Sequence, residues 1–514
     1  MQSVTRRVGS GTLARTLALL GAITIASSQV AAQQARATLT LEEAIALARE
    51  NNPDYQAVRN DLQIADWNVR AAYGDLLPGA SVGTGFSYQA AGEPRLGILT
   101  GSDLGIRETP AYYSSDYSIG LNYQLSGASL FAPSREKANR RATEAGVRAS
   151  EFELVTAVTR QYLAVVRARD GVALAEEELK RAEENLKLAQ ARVAVGDAIP
   201  LDAQQAEVEK GRAEVALLQA RNLVQTETLR LMQQIGVEIS PTIELTSRFD
   251  VFDLGHTQDE LVAMALERNP QIQAARAQER ASVAGVKMAR TAYLPSLSMS
   301  AGWSGYTREA GSTEYLLNQA RSQVSSAQQN CMQMNAISAG LNTPLPGYPR
   351  DCAAIVLTPD QERQIIADNN VFPFNYSRQP FGAELRISLP IFNGLAREQQ
   401  LEQAKVAQSD AAHRVRSEEL RVRTEVGTAY LNVVAARQSV ALEERNRQLA
   451  ADQLRLATER YRVGAANFIE LQEANTIKAR ADREYLIALY TFHESVAALE
   501  AAVGSNLRPA GEGR

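Results

Sequence analysis

The chain states most of its design twice. Glu43, Ala46, Ala48, Glu50, Asn52, Pro53, Ala57, Arg59, Leu77, Pro78 and Ser81 recur as Glu260, Ala263, Ala265, Glu267, Asn269, Pro270, Ala274, Arg276, Leu294, Pro295 and Ser298, at a constant offset of 217. Tyr162, Leu163, Val165, Val166, Arg169, Arg192, Val195 and Gly196 then recur as Tyr430, Leu431, Val433, Val434, Arg437, Arg460, Val463 and Gly464, at an offset of 268. The second copy therefore carries 51 additional residues between the two matching blocks. A repeat this long means duplicated architecture. It divides the chain into a first copy over 33–246 and a second over 247–507.

Each copy reads as helix, strand, loop, strand, long helix, turn, helix. Thr40-Leu41-Glu42-Glu43 opens the first helix. Asn52-Pro53 and Asn269-Pro270 supply an N-cap residue followed by a first-turn proline, which starts a second helix in each copy. Pro78 and Pro295 are expected to end those helices. The period then changes to two. Val82, Phe86 and Tyr88 alternate with small residues, as do Tyr117, Ile119, Leu121, Tyr123 and Leu125. In the second copy Leu297, Met299, Ala301 and Trp303 alternate with Ser298, Ser300, Gly302 and Ser304. Phe381, Ala383, Leu385, Ile387 and Leu389 alternate with Gly382, Glu384, Arg386 and Ser388. Four strands of roughly ten residues, greasy on one face and small or polar on the other, match transmembrane barrel strands, although a half-buried sheet in a water-soluble protein has the same alternation. Four strands cannot enclose water, and an open sheet in lipid leaves unpaired edges at several kcal/mol per group. A membrane assignment therefore requires several chains to share one barrel.

The segments after the strands are very long helices. Phe131–Val195 has no proline beyond Pro133, and some 60 residues at about 1.5 Å each reach roughly 90 Å. Val172, Ala175, Leu179, Ala182, Leu186, Ala189 and Val193 step by three and four, a coiled-coil seam. Gly196-Asp197-Ala198-Ile199-Pro200 turns the chain, and Leu201–Ile235 returns. Leu395–Val463, the turn at Gly464-Ala465-Ala466-Asn467, and the return from Phe468 to about Val503 repeat the arrangement.

Other features narrow the class. Arg6, Arg7 and Arg15 precede the apolar run Leu17–Ala26, with Val30-Ala31-Ala32 offering small residues for cleavage, so 1–32 reads as an export signal. After residue 32 no apolar run looks long enough for a membrane-spanning helix. Residues 508–514 read as a disordered tail. The net charge of −5 gives no case for nucleic acid. Cys331 and Cys352, the only cysteines, fall in or beside the extra segment and are expected to form a disulfide in an exported chain. His256, His413 and His493 show no ligand spacing and no phosphate loop or nucleophile elbow is present, so catalysis, a bound metal and a cofactor are not expected.

Taken in order, Leu39-Thr40-Leu41-Glu42-Glu43-Ala44 running into Asn52-Pro53, the return of Asn-Pro at 269–270, and Tyr461-Arg462-Val463-Gly464 ahead of Glu470-Leu471-Gln472-Glu473-Ala474 resemble the outer-membrane efflux proteins, the TolC-like channel-tunnels. The resemblance covers nearly all of the mature chain. It implies an α+β membrane protein in which three chains complete a twelve-stranded barrel in the outer membrane, continuous with a helical coiled-coil barrel in the periplasm. It implies a passive duct, with no chemistry of its own, for a tripartite efflux or type I secretion system. The implied partners are two further copies of the chain, a periplasmic membrane-fusion adaptor, an inner-membrane pump of RND, ABC or MFS type, and outer-membrane lipid. In similar proteins, acids placed as Glu470 and Glu473 form the pore constriction, and an acid placed as Asp202 hydrogen-bonds a tyrosine placed as Tyr461. Val195, Gly196, Asp197, Val463, Gly464 and Ala465 would present the adaptor-docking surface. The chain departs from the pattern at Ala466, where the family often has a basic latch residue; Arg462 or another residue takes that role, or closure is less firmly held. Singly, each acid also fits a solvated charge at a helix start. The loops at about 90–112 and 308–378 should face outside, the second as a long Gln/Asn/Pro-rich segment that is functional or disordered. The competing class is a non-conducting periplasmic scaffold or adaptor built on helical hairpins, which accounts for the helices but not the strands.

Overall fold

A computed structural model describes residues 38–93, 95–100, 108–238, 244–247 and 249–508; the export signal expected at 1–32 and residues 509–514 of the expected tail lie outside the described residues. The elements in chain order are α1 (Leu41–Asn51), α2 (Pro53–Gly74), β1 (Gly79–Gln89), β2 (Tyr112–Leu125), α3 (Gly127–Ala194), α4 (Pro200–Ile235), α5 (Gln258–Arg268), α6 (Pro270–Arg290), β3 (Ser296–Ala310), α7 (Thr313–Ala339), α8 (Pro359–Asn369), β4 (Gly382–Ser388), α9 (Ala396–Arg462) and α10 (Phe468–Val503). The chain divides into two compact units, one of 1–56, 153–258 and 426–514, the other of 57–152 and 259–425.

In the first unit, Thr40 caps α1 through a reciprocal capping box with Glu43. Thr38–Leu39 pairs in parallel with Glu244–Leu245. Leu41, Ala44, Ala48, Val158, Tyr162 and Ile235 form a buried cluster around this pairing. The Tyr162 hydroxyl donates to the Leu39 carbonyl at 2.9 Å, which is what allows a phenol to sit fully buried there. On α9, the buried positions Val426, Ala429, Val433, Ala436 and Val440 step by three and four. On α3, Ala175 and Ala189 are buried and the rest of the expected seam is half-buried. The small alanines permit close helix approach.

α10 corrects the expectation that no later segment is apolar and long enough to cross a membrane, since Phe468–Val503 meets both criteria. Its apolar character has a local explanation: Phe492, Val496, Leu499 and Val503 are fully buried within the unit. The same helix carries Asp482, whose side chain is 5% exposed and receives three cations, Lys478 from one turn earlier, Arg447 of α9 at 3.2 Å and Arg181 of α3 at 3.6 Å.

In the second unit, β1, β2, β3 and β4 form one antiparallel sheet in that order, and the two-residue strand Ser377–Arg378 also pairs with β3, beyond the stretch that β4 covers. The register sets Phe86 opposite Ser115 and Ser115 opposite Thr307, and further along Leu121 opposite Ala301 and Ala301 opposite Ala383. A period of two then puts Val82, Phe86, Ile119, Leu121, Met299 and Leu385 on one face, and Asp116, Asn122, Ser300, Glu384 and Arg386 on the other. Among the described residues, the outer edges of β1 and β4 have no partner strand. The helices α2 and α6 end at Gly74 and Arg290, short of Pro78 and Pro295, and a single 3₁₀ turn over Thr291–Tyr293 follows α6. Arg140 pairs with Asp66 at 2.5 Å and Arg276 with Glu419 at 2.7 Å, joining α3 to α2 and α6 to α9.

The extra segment is folded where a long loop was expected. β3 continues to Ala310, and α7 and α8 follow. The signals are local caps: Ser312 accepts from the Tyr315 N–H, and Thr358 forms a capping box with Gln361 ahead of Pro359. Cys331 and Cys352 are joined by a disulfide with a Cα–Cα distance of 5.7 Å.

Candidate functional site

The two interhelical turns use the same backbone instruction. At the end of α3 the Asp197 N–H bonds the Arg192 carbonyl and the Gly196 N–H bonds that of Val193. At the end of α9 the Ala465 N–H bonds the Arg460 carbonyl and the Gly464 N–H bonds that of Tyr461. These are paired six-to-one and five-to-two closures, which require a left-handed residue. Gly196 has φ +83° and Gly464 has φ +77°. Glycine adopts that conformation without the penalty a Cβ would bring.

The returning helices differ. α4 starts with Pro200 behind Ile199, which makes no side-chain cap, whereas Asn467 caps α10 by accepting from the Glu470 N–H. Tyr461 is fully buried with Ala189, Ala206, Phe468 and Leu471, and meets Phe468 edge-on at 5.8 Å. The Arg192 guanidinium lies 4.4 Å from the centre of the Tyr461 ring. It also donates to the Tyr461 carbonyl at 2.7 Å and to the Asp197 carbonyl at 3.0 Å. One arginine of the first copy thereby holds both turns. The hydrogen bond expected between Asp202 and Tyr461 is not formed, since the phenol oxygen is buried without a hydrogen-bond partner. Burial, and then the nearby Asp202 charge, push that phenol above its ordinary range, against the pull of Arg192.

The cation at the second turn is Arg460, where Arg462 was one expectation. Arg460 pairs with Glu470 at 2.5 Å and donates to the Ala465 carbonyl at 3.3 Å, whereas Arg462 is exposed. Arg460 stands two residues before the end of α9 and folds over the turn that follows, whereas Arg462 is the last helical residue. Both side chains of the pair are substantially exposed, so it contributes under about 1 kcal/mol. Glu473 is exposed one turn beyond Glu470, and Asp202 is half-buried at the start of α4. Val195 and Val463 stand 73% and 75% exposed beside Gly196, Asp197, Gly464 and Ala465, all exposed as well. The roles of Arg192 and Arg460 went unread in the sequence, although their recurrence at the 268 offset was the available signal.

These turns and helices fall within known family territory. The chain matches the outer membrane efflux protein family over residues 44–237 and 356–505. The chain belongs to that family. Members are non-enzymatic transport ducts, and this efflux protein is not an enzyme. Solved structures share its fold. CusC has a TM-score of 0.65 at 16% identity, covering 91% of this chain and 92% of its own. A membrane protein from Pseudomonas aeruginosa has a TM-score of 0.65 at 20% identity, with the same coverages. The MtrE outer membrane channel of Neisseria gonorrhoeae, captured in an open state, has a TM-score of 0.63 at 19% identity, covering 91% of this chain and 90% of its own. The efflux protein thus has the fold of outer-membrane efflux channels, and its family assigns it to outer-membrane export.

Proposed function

We propose that three copies of this chain form the exit duct of a tripartite efflux or type I secretion assembly, a passive channel for small toxic molecules or proteins. The observation that carries this reading is the sheet of the second unit, with one face greasy along most of its length, a polar opposite face and, among the described residues, two unpaired edges. Pairing β1 of one copy with β4 of the next satisfies the edges and closes a water-filled barrel. In the first unit, exposed Leu442, Leu449 and Leu456 recur every seven residues on α9, a step that exposed Val463 continues just past the helix; exposed Leu201, Val208 and Val215 recur likewise on α4. Two unmatched heptad seams on different helices suit a head-to-tail interface that closes into a ring. The trimer number and the place of the turns at the periplasmic mouth rest on family likeness.

In this reading Asp202, Glu470 and Glu473 repeat around the axis and favour cations at the constriction. Arg192 and Tyr461 hold the turns shut, and the exposed Val195 and Val463 meet the adaptor. Outer-membrane fractionation with native sizing of the mature chain in mild detergent is the primary test. A monodisperse single chain in plain buffer refutes the duct. Single-channel recording tests the constriction: replacing both Glu470 and Glu473 by Ala should reduce cation preference, and unchanged current and selectivity remove those residues from it. Cross-linking from Asp197 to the adaptor tests the docking surface, and normal export with bulky residues at both Gly196 and Gly464 counts against it.

A further inference from the structure

The greasy face of the sheet is interrupted near one end. Along the lower rungs it carries exposed Val82, Ile119, Leu121, Trp303, Leu385 and Ile387. Toward the end where β1 stops and β2 begins, the same face carries Ser115, Thr307 and Glu309 among Phe86, Tyr88 and Tyr113. Ser115 and Thr307 are only 1% and 2% exposed, in a sheet whose neighbours are open. What covers them is the extra segment of the second copy. The Ser115 hydroxyl donates to the Pro373 carbonyl and lies 2.7 Å from the Thr307 hydroxyl. One Glu309 carboxylate oxygen accepts the N–H groups of Val371 at 3.1 Å and Phe372 at 2.9 Å. The Asn369 side-chain amide, at the end of α8, both donates to and accepts from the Ala310 backbone. Phe372 packs on Phe86 at 6.3 Å and Tyr113 at 5.7 Å, Phe374 on Phe86 at 6.4 Å, and Tyr376 on Tyr117 at 4.8 Å.

We infer that the insertion is a collar on the outside of the barrel, seated against the outer-leaflet lipid surface, and leaves the pore mouth uncovered. This rests on the duct reading above, which makes the greasy face the lipid side. The segment from Asn369 to Tyr376 satisfies the Ser115 hydroxyl and the Glu309 carboxylate, and Thr307 pairs with Ser115 beneath it, so these contacts hold the segment against the greasy face. A segment spanning the mouth would make none of these contacts. The height fits. From the Tyr117 rung to the Leu125 rung is eight residues, about 27 Å along the strand and about 21 Å once tilted by ~40°, close to the ~25 Å apolar band of such barrels. The cover therefore begins where hydrocarbon gives way to headgroups, the level at which aromatic girdles sit. Phe374 supplies such a residue, 70% exposed beyond its contact with Phe86. Beyond the seat, the disulfide and the paired hydrogen bonds between Asn335 and Arg350 close α7 and its return into an arm.

The test is depth-resolved fluorescence quenching of the full trimer in phosphatidylcholine vesicles, with bromine carried either near the headgroup or near the chain end. Trp67 and Trp303 are replaced by Phe, and single tryptophans are introduced by Phe374→Trp or Leu121→Trp. The Phe374→Trp emission should be blue-shifted and quenched more by shallow than by deep bromine, and that of Leu121→Trp more by deep bromine. Loss of quenching at position 374 with quenching kept at 121 overturns the collar alone. Loss at both overturns the duct reading and the collar with it. A second measurement needs no change in the sheet. A bulky hydrophilic tag attached at Asn342→Cys, in the arm, should leave the single-channel current unaltered, and a current that falls on tagging overturns the collar.

Discussion

The returning helices α4 and α10 are copies of one another, and they show what duplication keeps and what it frees. Lys210 and Glu214 on α4 correspond, at the 268 offset, to Lys478 and Asp482 on α10. Both are ion pairs one turn apart. The α4 pair is in contact with solvent, while the α10 pair is buried and gathers Arg181 and Arg447 around the carboxylate. Likewise Gln225 is exposed on α4, where its counterpart His493 is 1% exposed on α10. The helix and its turn are inherited twice; the second copy has been drawn into the core and the first left at its margin. Burial, and not the residue pair itself, sets what a charge is worth.

The largest effect should come from breaking that contrast at its buried end. Asp482→Ala leaves the largely buried Lys478 without its carboxylate and frees the more exposed Arg181 and Arg447, and should cost about 3 kcal/mol in denaturant unfolding, while Glu214→Ala should leave the unfolding midpoint where it is. Equal effects would dissolve the distinction. Next is acid. Burial, reinforced by Arg508, lowers His493 to about 4, with its hydrogen bond to the Phe249 backbone opposing. The unfolded chain then takes up the proton first, so stability should fall as pH drops from about 6.5 toward 4, by about 3 kcal/mol in total. Exchanging His493 for the Gln of the first copy should flatten that slope in a melting series. Third, Arg192→Ala removes two charge-assisted carbonyl bonds and a ring contact and should loosen the turns by about 2 kcal/mol, read as a rise in channel current. Arg192→Lys should restore little, because a point charge cannot serve two carbonyls and a ring face together. Smallest is Arg460→Ala, worth under about 1 kcal/mol and erased by salt.

Much of this fold is legible in the sequence because its determinants are local. The Asn-Pro starts, the turns at Gly196 and Gly464, and the alternation of four strands each act within a few residues. Asn269 caps α6 by accepting from Gln271 and Ile272, as its place before Pro270 requires. What could not be read depends on partners distant in sequence. Nothing near Asp482 announces Arg181, and nothing near Ser115 announces Pro373. Arg192 looks like any surface arginine until Tyr461, far along the chain, supplies its ring and carbonyl. The insertion was misread for a different reason: its Gln, Asn and Pro suggested a loop, although Ser312, Thr358 and Pro359 stand where helix starts need them.

The bare rims of the sheet carry an implication for the cell that makes this polypeptide. In the proposed ring, each molecule displays two rows of unmet amide and carbonyl groups until sister subunits arrive, the surface that promiscuous strand addition exploits. Synthesis rate then becomes part of the design: output faster than ring closure should favour clumping over channels, however well the individual subunit is formed.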